Sequence, residues 1–451
     1  MDADSPAPDS SAAHPPGDSA GDSSAEPGPR LHRNVRAASG TSFLTDVSSE
    51  MLLNVLPLFL ANVLGVRVWA VGLVEGLADA TASILKLYSG WLSDRLGTRK
   101  WPAVAGYAIS ALSKPFYLLA NTWGAVAAIR WGDRVGKGVR TAPRDALLAD
   151  STPVERRGLA FGMHRAADTA GAVVGIAVSI WVVQRVQGGG ALLEAETFRS
   201  LVMWSLAPAF LGVAVLAVGA RDVEGRKRAA RAPGDDGANG GSGIRAGEGR
   251  PRPGLRGLGR GFAAFVVCSV IFELGNSADA FLVLRAQERG FAVAGVLWLL
   301  LAFNVVYALV STPAGSLADR IPRKRVVAGA WGLYALVYLG FALADTTVHV
   351  TVLYLLYGVY HGLVAGAARA LVADLVPAAR RGTAYGGYAA AIGLATLPAS
   401  VLAGVLWEGL FGWQGFGPAA PFVFGAAMAG IAAVVLLVTV PGGQVSSEPG
   451  T

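Results

Sequence analysis

The chain has 451 residues, 53% of them hydrophobic and 15% charged, with a formal net charge of +7 and a mean hydropathy of +0.47. This is too apolar for an ordinary soluble globule and indicates an integral membrane protein. The basic residues cluster in short segments between apolar runs, a positive-inside pattern rather than a nucleic-acid-binding one. Cys268 is the one cysteine, which excludes an internal disulfide and a thiolate metal cluster and reads as a small buried hydrophobe.

Residues 1–40, rich in Pro, Ser, Asp, Ala and Gly, read as a disordered cytoplasmic tail. No basic-then-apolar leader pattern is present, so the first hydrophobic helix is expected to be retained, with Arg30, Arg33 and Arg36 favouring a cytoplasmic N-terminus. Twelve spans are predicted, each near the roughly 20 residues that cross a bilayer. The first six are 42–64, 69–92, 102–121, 124–147, 160–184 and 200–220; the second six are 262–284, 292–314, 326–344, 347–372, 384–407 and 418–440. They define a first bundle over 41–220, a flexible basic linker over 221–258 containing Arg226-Lys227-Arg228, a second bundle over 259–441 and a tail over 442–451.

The halves repeat. Gly90-Trp91-Leu92-Ser93-Asp94-Arg95 recurs as Gly315-Ser316-Leu317-Ala318-Asp319-Arg320 after 225 residues. Ala149-Asp150, Pro153 and Arg156-Arg157-Gly158 recur after 224 residues as Ala373-Asp374, Pro377 and Arg380-Arg381-Gly382. A shift held across two separate loops argues for two similar six-helix bundles. Loops after even-numbered spans carry the arginines and lysines and those after odd-numbered spans are poor in them, which places both termini in the cytoplasm.

The fourth span is anomalous. It carries Arg130, Asp133, Arg134, Lys137 and Arg140, then Arg144-Asp145. Each such charge at a lipid-facing helix centre costs about 2.5–3.5 kcal/mol, so four of them cost roughly 10–14 kcal/mol. At 100° per residue Arg130, Arg134, Lys137, Thr141 and Arg144 share one face, with Asp133 and Arg140 at its edge. That face must look into protein or a wet cavity. Counter-charges are available: Asp46 and Glu50 on the first span, Glu75, Asp79 and Lys86 on one face of the second, Lys114 before Pro115 on the third, and His164, Arg165 and Asp168 on the fifth. The second half is sparser, with Glu273, Asn276 and Asp279 on the seventh span, weaker candidates Asn304 and Tyr307 on the eighth, and Tyr354, Tyr357, Tyr360 and His361 on the tenth.

The duplicated Gly-x-Leu-x-Asp-Arg loops resemble the signature of the major facilitator superfamily, and the resemblance spans residues 42 to 440. It implies an all-α membrane protein of twelve transmembrane helices in two pseudo-symmetric six-helix bundles. In the resembled fold helices 1, 4, 7 and 10 line a central cavity, Asp46 and Glu50 lie level with Arg140 and Arg144, and Arg134 and Lys137 lie nearer the middle. Arg134-x-x-Lys137-Gly138 is similar to the Arg-x-x-Gln-Gly signature linked to proton transfer, with Lys137 in place of Gln. Gly171-x-x-x-Gly175 resembles the start of an antiporter signature, but Ile176 stands where its Pro is expected, and plain small-residue packing is an equal reading.

The resulting substrate or proton-pathway candidates are Asp46, Glu50, Asp79, Arg134, Lys137, Arg140, Asp279, Tyr357 and His361. Gating is expected of Gly90, Asp94, Arg95, Gly315, Asp319 and Arg320. The expected protein is a monomeric plasma-membrane secondary transporter that exports a small solute (a drug, a metabolite or a metal-related solute) in exchange for protons. Proton-coupled uptake of a small anion is the alternative, and a receptor or scaffold that has lost transport is a third. No phosphate-cradling loop, metal-ligand cluster or nucleophile–base motif is present, so neither an enzyme, a cofactor, a bound metal nor an ATP-driven pump is expected.

Overall fold

The computed structural model of the protein describes residues 32–153, 156–222, 258–377 and 380–441, with the side chains of Leu87, Trp91, Asp94, Ser316, Ala318 and Asp319 left out. The described residues are helical and contain no strand. The expected linker falls almost wholly and the C-terminal tail wholly outside the described residues, as do residues 1–31 of the expected disordered tail, whereas its last eight residues, 33–40, are helical.

Twelve transmembrane helices form two six-helix bundles. We label them α1 (Arg33–Leu53, extended by Leu56–Leu58 and a π-helical turn at Phe59–Val63), α2 (Val68–Leu96), α3 (Lys100–Ser113 with a 3-10 turn at Lys114–Leu119), α4 (Trp123–Asp150), α5 (Arg157–Val186) and α6 (Ala195–Gly219). The second bundle comprises α7 (Arg260–Gly275, then Ala280–Glu288), α8 (Val293–Arg320), α9 (Arg323–Leu343), α10 (Thr347–Leu375), α11 (Arg381–Glu408) and α12 (Ala420–Thr439). Ten of these are long and apolar enough to cross a membrane by composition alone. The other two are α3, which is broken before Pro115, and α4, which carries too many charges. Exposed Leu309, Leu336, Leu343 and Val438 belong to the apolar outer surface that such a bundle presents to lipid.

Two departures from expectation concern helix ends. The first helix begins at Arg33 rather than 42, because its first turns are tied down. Arg33 donates to the carbonyls of Val218 and Gly219 at the end of α6, and Asn34 bonds Ser151 Oγ and the backbone of Arg221. The seventh helix, expected to be continuous, breaks at Asn276, where Tyr334 Oη donates to the freed carbonyl of Gly275 and lies within hydrogen-bonding distance of Asn276 Oδ1. Gly275 is required there, since a Cβ would sit 2.6 Å from Met428 Cβ on α12.

The duplication recurs in three dimensions. Arg99 pairs with Asp150 at 3.5 Å, and 224 residues later Arg323 pairs with Asp374. Arg157 donates to the Ala149 carbonyl (3.3 Å) and Arg381 to that of Ala373 (3.2 Å), again 224 apart. These contacts lie at the end of the molecule where the even-numbered helices terminate, called here the basic end. A Cβ at Gly90 would make an ordinary contact with Ala142 of α4 at 3.4 Å, and one at Gly315 would meet open space, so neither glycine is required by close packing. Arg95 and Arg320 are exposed, and the side chains of Asp94 and Asp319 lie outside the described residues.

The bundles meet through α2 against α11 and, less extensively, α5 against α8. At the end opposite the basic one, a Cβ on Gly72 would lie 2.2 Å from the Ser400 carbonyl and one on Gly404 2.4 Å from Trp69 Cα. Arg67 and Glu408 close the seam with an ion pair at 3.3 Å, and Glu408 also accepts from the Val68 amide. Gly72→Leu therefore has to separate two backbones, and we expect it to lower stability by about 1–3 kcal/mol or more. Gly430→Leu, where a Cβ meets nothing within 4 Å, is the control expected to leave it unchanged. Thermal unfolding in micelles checks both, and equal behaviour of the two variants refutes the close approach.

Candidate functional site

Helix α4 sinks between α2 and α3 because its neighbours are small. A Cβ at Gly136 would lie 2.5 Å from Ser110 Oγ, one at Gly138 2.6 Å from Leu85 Cβ, and one at Gly106 on α3 2.6 Å from the Arg140 amide. With the backbones this close, the charged face of α4 is carried into the bundle interior: Arg130, Asp133, Arg134 and Arg140 are all buried.

The counter-charges come mainly from α2, at matching i,i+4 spacing. Glu75 Oε2 accepts from Arg130 Nη2 at 2.6 Å, and Asp79 Oδ1 lies 3.4 Å from Arg134 Nε. Asp133 adds a second carboxylate 3.7 Å from Arg130. Nearer the basic end, Arg140 donates to Ser110 Oγ (2.7 Å) and lays its guanidinium 4.5 Å over the Tyr107 ring. Arg144 closes the run on Asp145 (2.8 Å) and Ser42 (3.3 Å). Lys137 has no carboxylate within 4.0 Å among the described residues. Buried Lys114, at the break in α3, donates to Ser48 and Ser49 of α1.

Two cavities lie along the seam between the bundles. The smaller, about 280 Å³, is lined by carboxylates Glu50, Glu75, Asp79 and Asp279, by Arg130 and Arg134, and by Asn54 and Asn304. Its polar groups come from α1, α2, α4, α7 and α8, so it belongs to both bundles. Four acids against two arginines leave it formally acidic. The larger, about 1240 Å³, reaches from Asp46, Lys137 and Glu273 to Arg144, Arg165, Arg369 and Tyr385, residues progressively nearer the basic end. Access is therefore on the basic side, while the α2–α11 glycine seam closes the other.

The candidates from sequence divide accordingly. Glu50, Asp79, Arg134 and Asp279 line the small cavity; Asp46, Lys137 and Arg140 line the large one. Glu50 thus sits with Arg130 and Arg134, well deeper than its expected level beside Arg140 and Arg144, ten residues along α4; its Oε2 accepts from Asn54 at 3.0 Å. Tyr357 and His361 line neither cavity. Tyr357 is held behind the wall, donating to Asp279 at 2.9 Å, and the edge of His361 meets it with ring centroids 4.6 Å apart. The tyrosine stripe is mostly core: Tyr354, Tyr357 and Tyr360 are buried, Tyr357 packing against Tyr334 and Tyr338 of α9, and of the three Tyr360 alone reaches the larger cavity among its described lining. Gly171 and Gly175 serve close packing, with a Cβ at either meeting the α1 backbone at Phe43 or Val47.

Glu75, Arg130 and Glu273 line these cavities and are not among the candidates from sequence. The matched spacing of 75/79 with 130/134 was the available signal for the first two. Glu273 is held by Asn276 (3.2 Å) and Thr396 of α11 (2.9 Å), an arrangement that depends on the break in α7.

A duplicated twelve-helix membrane bundle enclosing a polar, bundle-shared cavity defines a transporter rather than an enzyme. Residues 38–274 and 262–450 both match the Major Facilitator Superfamily, and the chain belongs to that family. An uncharacterized MFS-type transporter of Methanocaldococcus jannaschii is 32% identical over 413 residues, covering 90% of this chain and 95% of its own. Among solved structures, the fold is shared with a nucleoside transporter (TM-score 0.69, 14% identity, 90% of this chain and 98% of that one). It is shared equally with a D-xylose–proton symporter (TM-score 0.68, 16% identity, 91% and 98%).

Removing one member of a buried pair leaves the other charge uncompensated, at about 3–5 kcal/mol. Glu75→Gln is expected to destabilise by that order, and Glu75→Gln with Arg130→Gln by less than the sum of the single changes. Denaturation of the four proteins in micelles checks this; strict additivity contradicts the pair.

Proposed function

We propose that the protein is a proton-coupled secondary transporter of the plasma membrane that exports a small solute by alternating access, with both termini cytoplasmic. The observation that carries this reading is the small cavity shared by the bundles, where Glu50, Asp79 and Asp279 face Arg130 and Arg134. Carboxylates at such depth are costly unless paired or neutralised, so taking up or losing a proton changes which bundle arrangement is favoured. Glu50 is the chosen coupling residue, because its one hydrogen-bonding partner among the described residues is Asn54 of its own helix, leaving it free to exchange a proton.

Orientation follows from the arginine-rich loops at the basic end, which positive-inside topology assigns to the cytoplasm. The large cavity then faces the cytoplasm, as an exporter awaiting cargo requires. Proton-coupled uptake of a small anion is favoured by one observation, the Lys137 ammonium with no carboxylate within 4.0 Å among the described residues.

Cells lacking the gene are expected to be hypersensitive to at least one compound in a panel of toxic organics and metals, and the intact gene but not Glu50→Gln to restore growth. Growth failure on one nutrient instead, with no hypersensitivity, assigns uptake. Restoration by Glu50→Gln equal to the intact gene removes that carboxylate from coupling.

A further inference from the structure

The large cavity has two unlike walls. The wall from α2, α4 and α5 carries Lys86, Lys137, Arg140, Arg144 and Arg165, and Arg369 of α10 adds a sixth cation from across the seam. Against them stand Asp46, Asp145, Asp168 and Glu273, a formal excess of two positive charges with His164 neutral. Two of the acids are already engaged, Asp145 by Arg144 at 2.8 Å and Glu273 by Asn276 and Thr396. Lys86, Lys137 and Arg369 have no carboxylate within 4.0 Å among the described residues. A cavity of about 1240 Å³ with unpaired cations in its wall attracts an anion and raises its local concentration.

The facing wall is aromatic. Tyr385 and Tyr388 are its more exposed part, backed by Tyr360 and by Phe272 and Trp331, which stack at 4.9 Å with an interplanar angle of 10° and are only 5% and 2% exposed. Few charged side chains interrupt it, so it suits a flat apolar body rather than a second charged group. A small inorganic anion would leave this surface unused, and an organic cation would meet the excess positive charge.

We propose that the cargo bound in the large cavity is an amphipathic organic anion, its acidic head held by Lys137 and Arg140, with Arg369 adding positive potential from nearer the basic end, and its flat apolar body laid on the Tyr388 surface backed by Phe272 and Trp331. This rests on the transporter reading but not on its direction or its coupling ion. The head lies at the Lys137 level, one turn from the acidic small cavity. A carboxylate, sulfonate or phosphate there would add negative charge close to Asp46 and Glu50, so cargo and proton occupancy are linked through adjoining groups.

The test uses purified full-length protein in nanodiscs and a matched panel: naphthalene carboxylate, sulfonate and phosphate monoester, the corresponding naphthylmethylamine and naphthamide, and acetate. Binding is read by calorimetry and by the shift in unfolding temperature. At least one naphthalene anion is expected to bind tenfold or more tightly than its amine, its amide and acetate. Lys137→Gln and Arg369→Gln are expected each to weaken that binding several-fold, and Phe272→Leu to weaken the naphthalene anion while leaving acetate unchanged. Equal or tighter binding of the amine or amide, or anion binding indifferent to both cation substitutions, overturns the proposal. Flux in proteoliposomes separates the two readings. Selective anion binding without flux leaves the site standing and rejects transport, whereas flux of the amine with none of the anions rejects the anion assignment and leaves transport standing.

Discussion

Burying the charged face of α4 is the constraint on which the first bundle depends. Arginine in a membrane interior is tolerated where carboxylates and hydroxyls surround it, and here they are delivered by helix registry. Glu75 and Asp79 sit one turn apart on α2, as do Arg130 and Arg134 on α4, so one lateral alignment satisfies both pairs. That alignment requires the helices to touch, and Gly138 removes the Cβ that would hold α4 off α2, while Gly106 and Gly136 do the same between α4 and α3. Close packing and charge compensation are thus one requirement expressed twice.

The second bundle solves a different problem. Its interior is held by aromatic packing around Tyr334, Tyr338, Tyr357 and Phe341, with fewer ionic groups. Buried Arg285 serves structure there, its guanidinium donating to the carbonyls of Phe341 and Ala342 at the end of α9. One bundle therefore supplies most of the charge and the other most of the apolar surface. Their seam holds an acidic chamber at depth and a basic vestibule beyond it. The glycine contacts of α2 with α11 close one end, and the larger cavity occupies the other, as the proposed alternating-access cycle requires of one of its states.

Much of this was legible from residues alone. Twelve spans, the 224-residue repeat and the inward turn of the α4 face all followed from hydropathy, spacing and the cost of lipid-facing charge. Arg134 with Asp79 was recoverable because both were deep and of opposite sign. What sequence could not supply was depth relative to another helix: Glu50 lines the small cavity with Arg130 and Arg134, a level set by how α1 passes α4 and not by the pattern of either helix alone. Tyr357 and His361 share a stripe with cavity-like spacing yet face a packed aromatic core, and periodicity does not distinguish the two. The break at Asn276, which sets Glu273 and Asp279 apart, depends on a hydrogen bond from Tyr334 on another helix.

The two ends of the seam are expected to open and close reciprocally around the charged α4 face. Spin labels at Phe161 and Tyr385 on the rim of the large cavity, and in a second protein at Arg67 and Glu408 across the glycine seam, both with Cys268→Ser, report the two ends by pulsed dipolar spectroscopy. Changing pH or adding a bound organic anion is expected to shorten the first distance while lengthening the second. Distances at both ends that stay fixed, or that lengthen together, contradict a rocking transporter built on this seam.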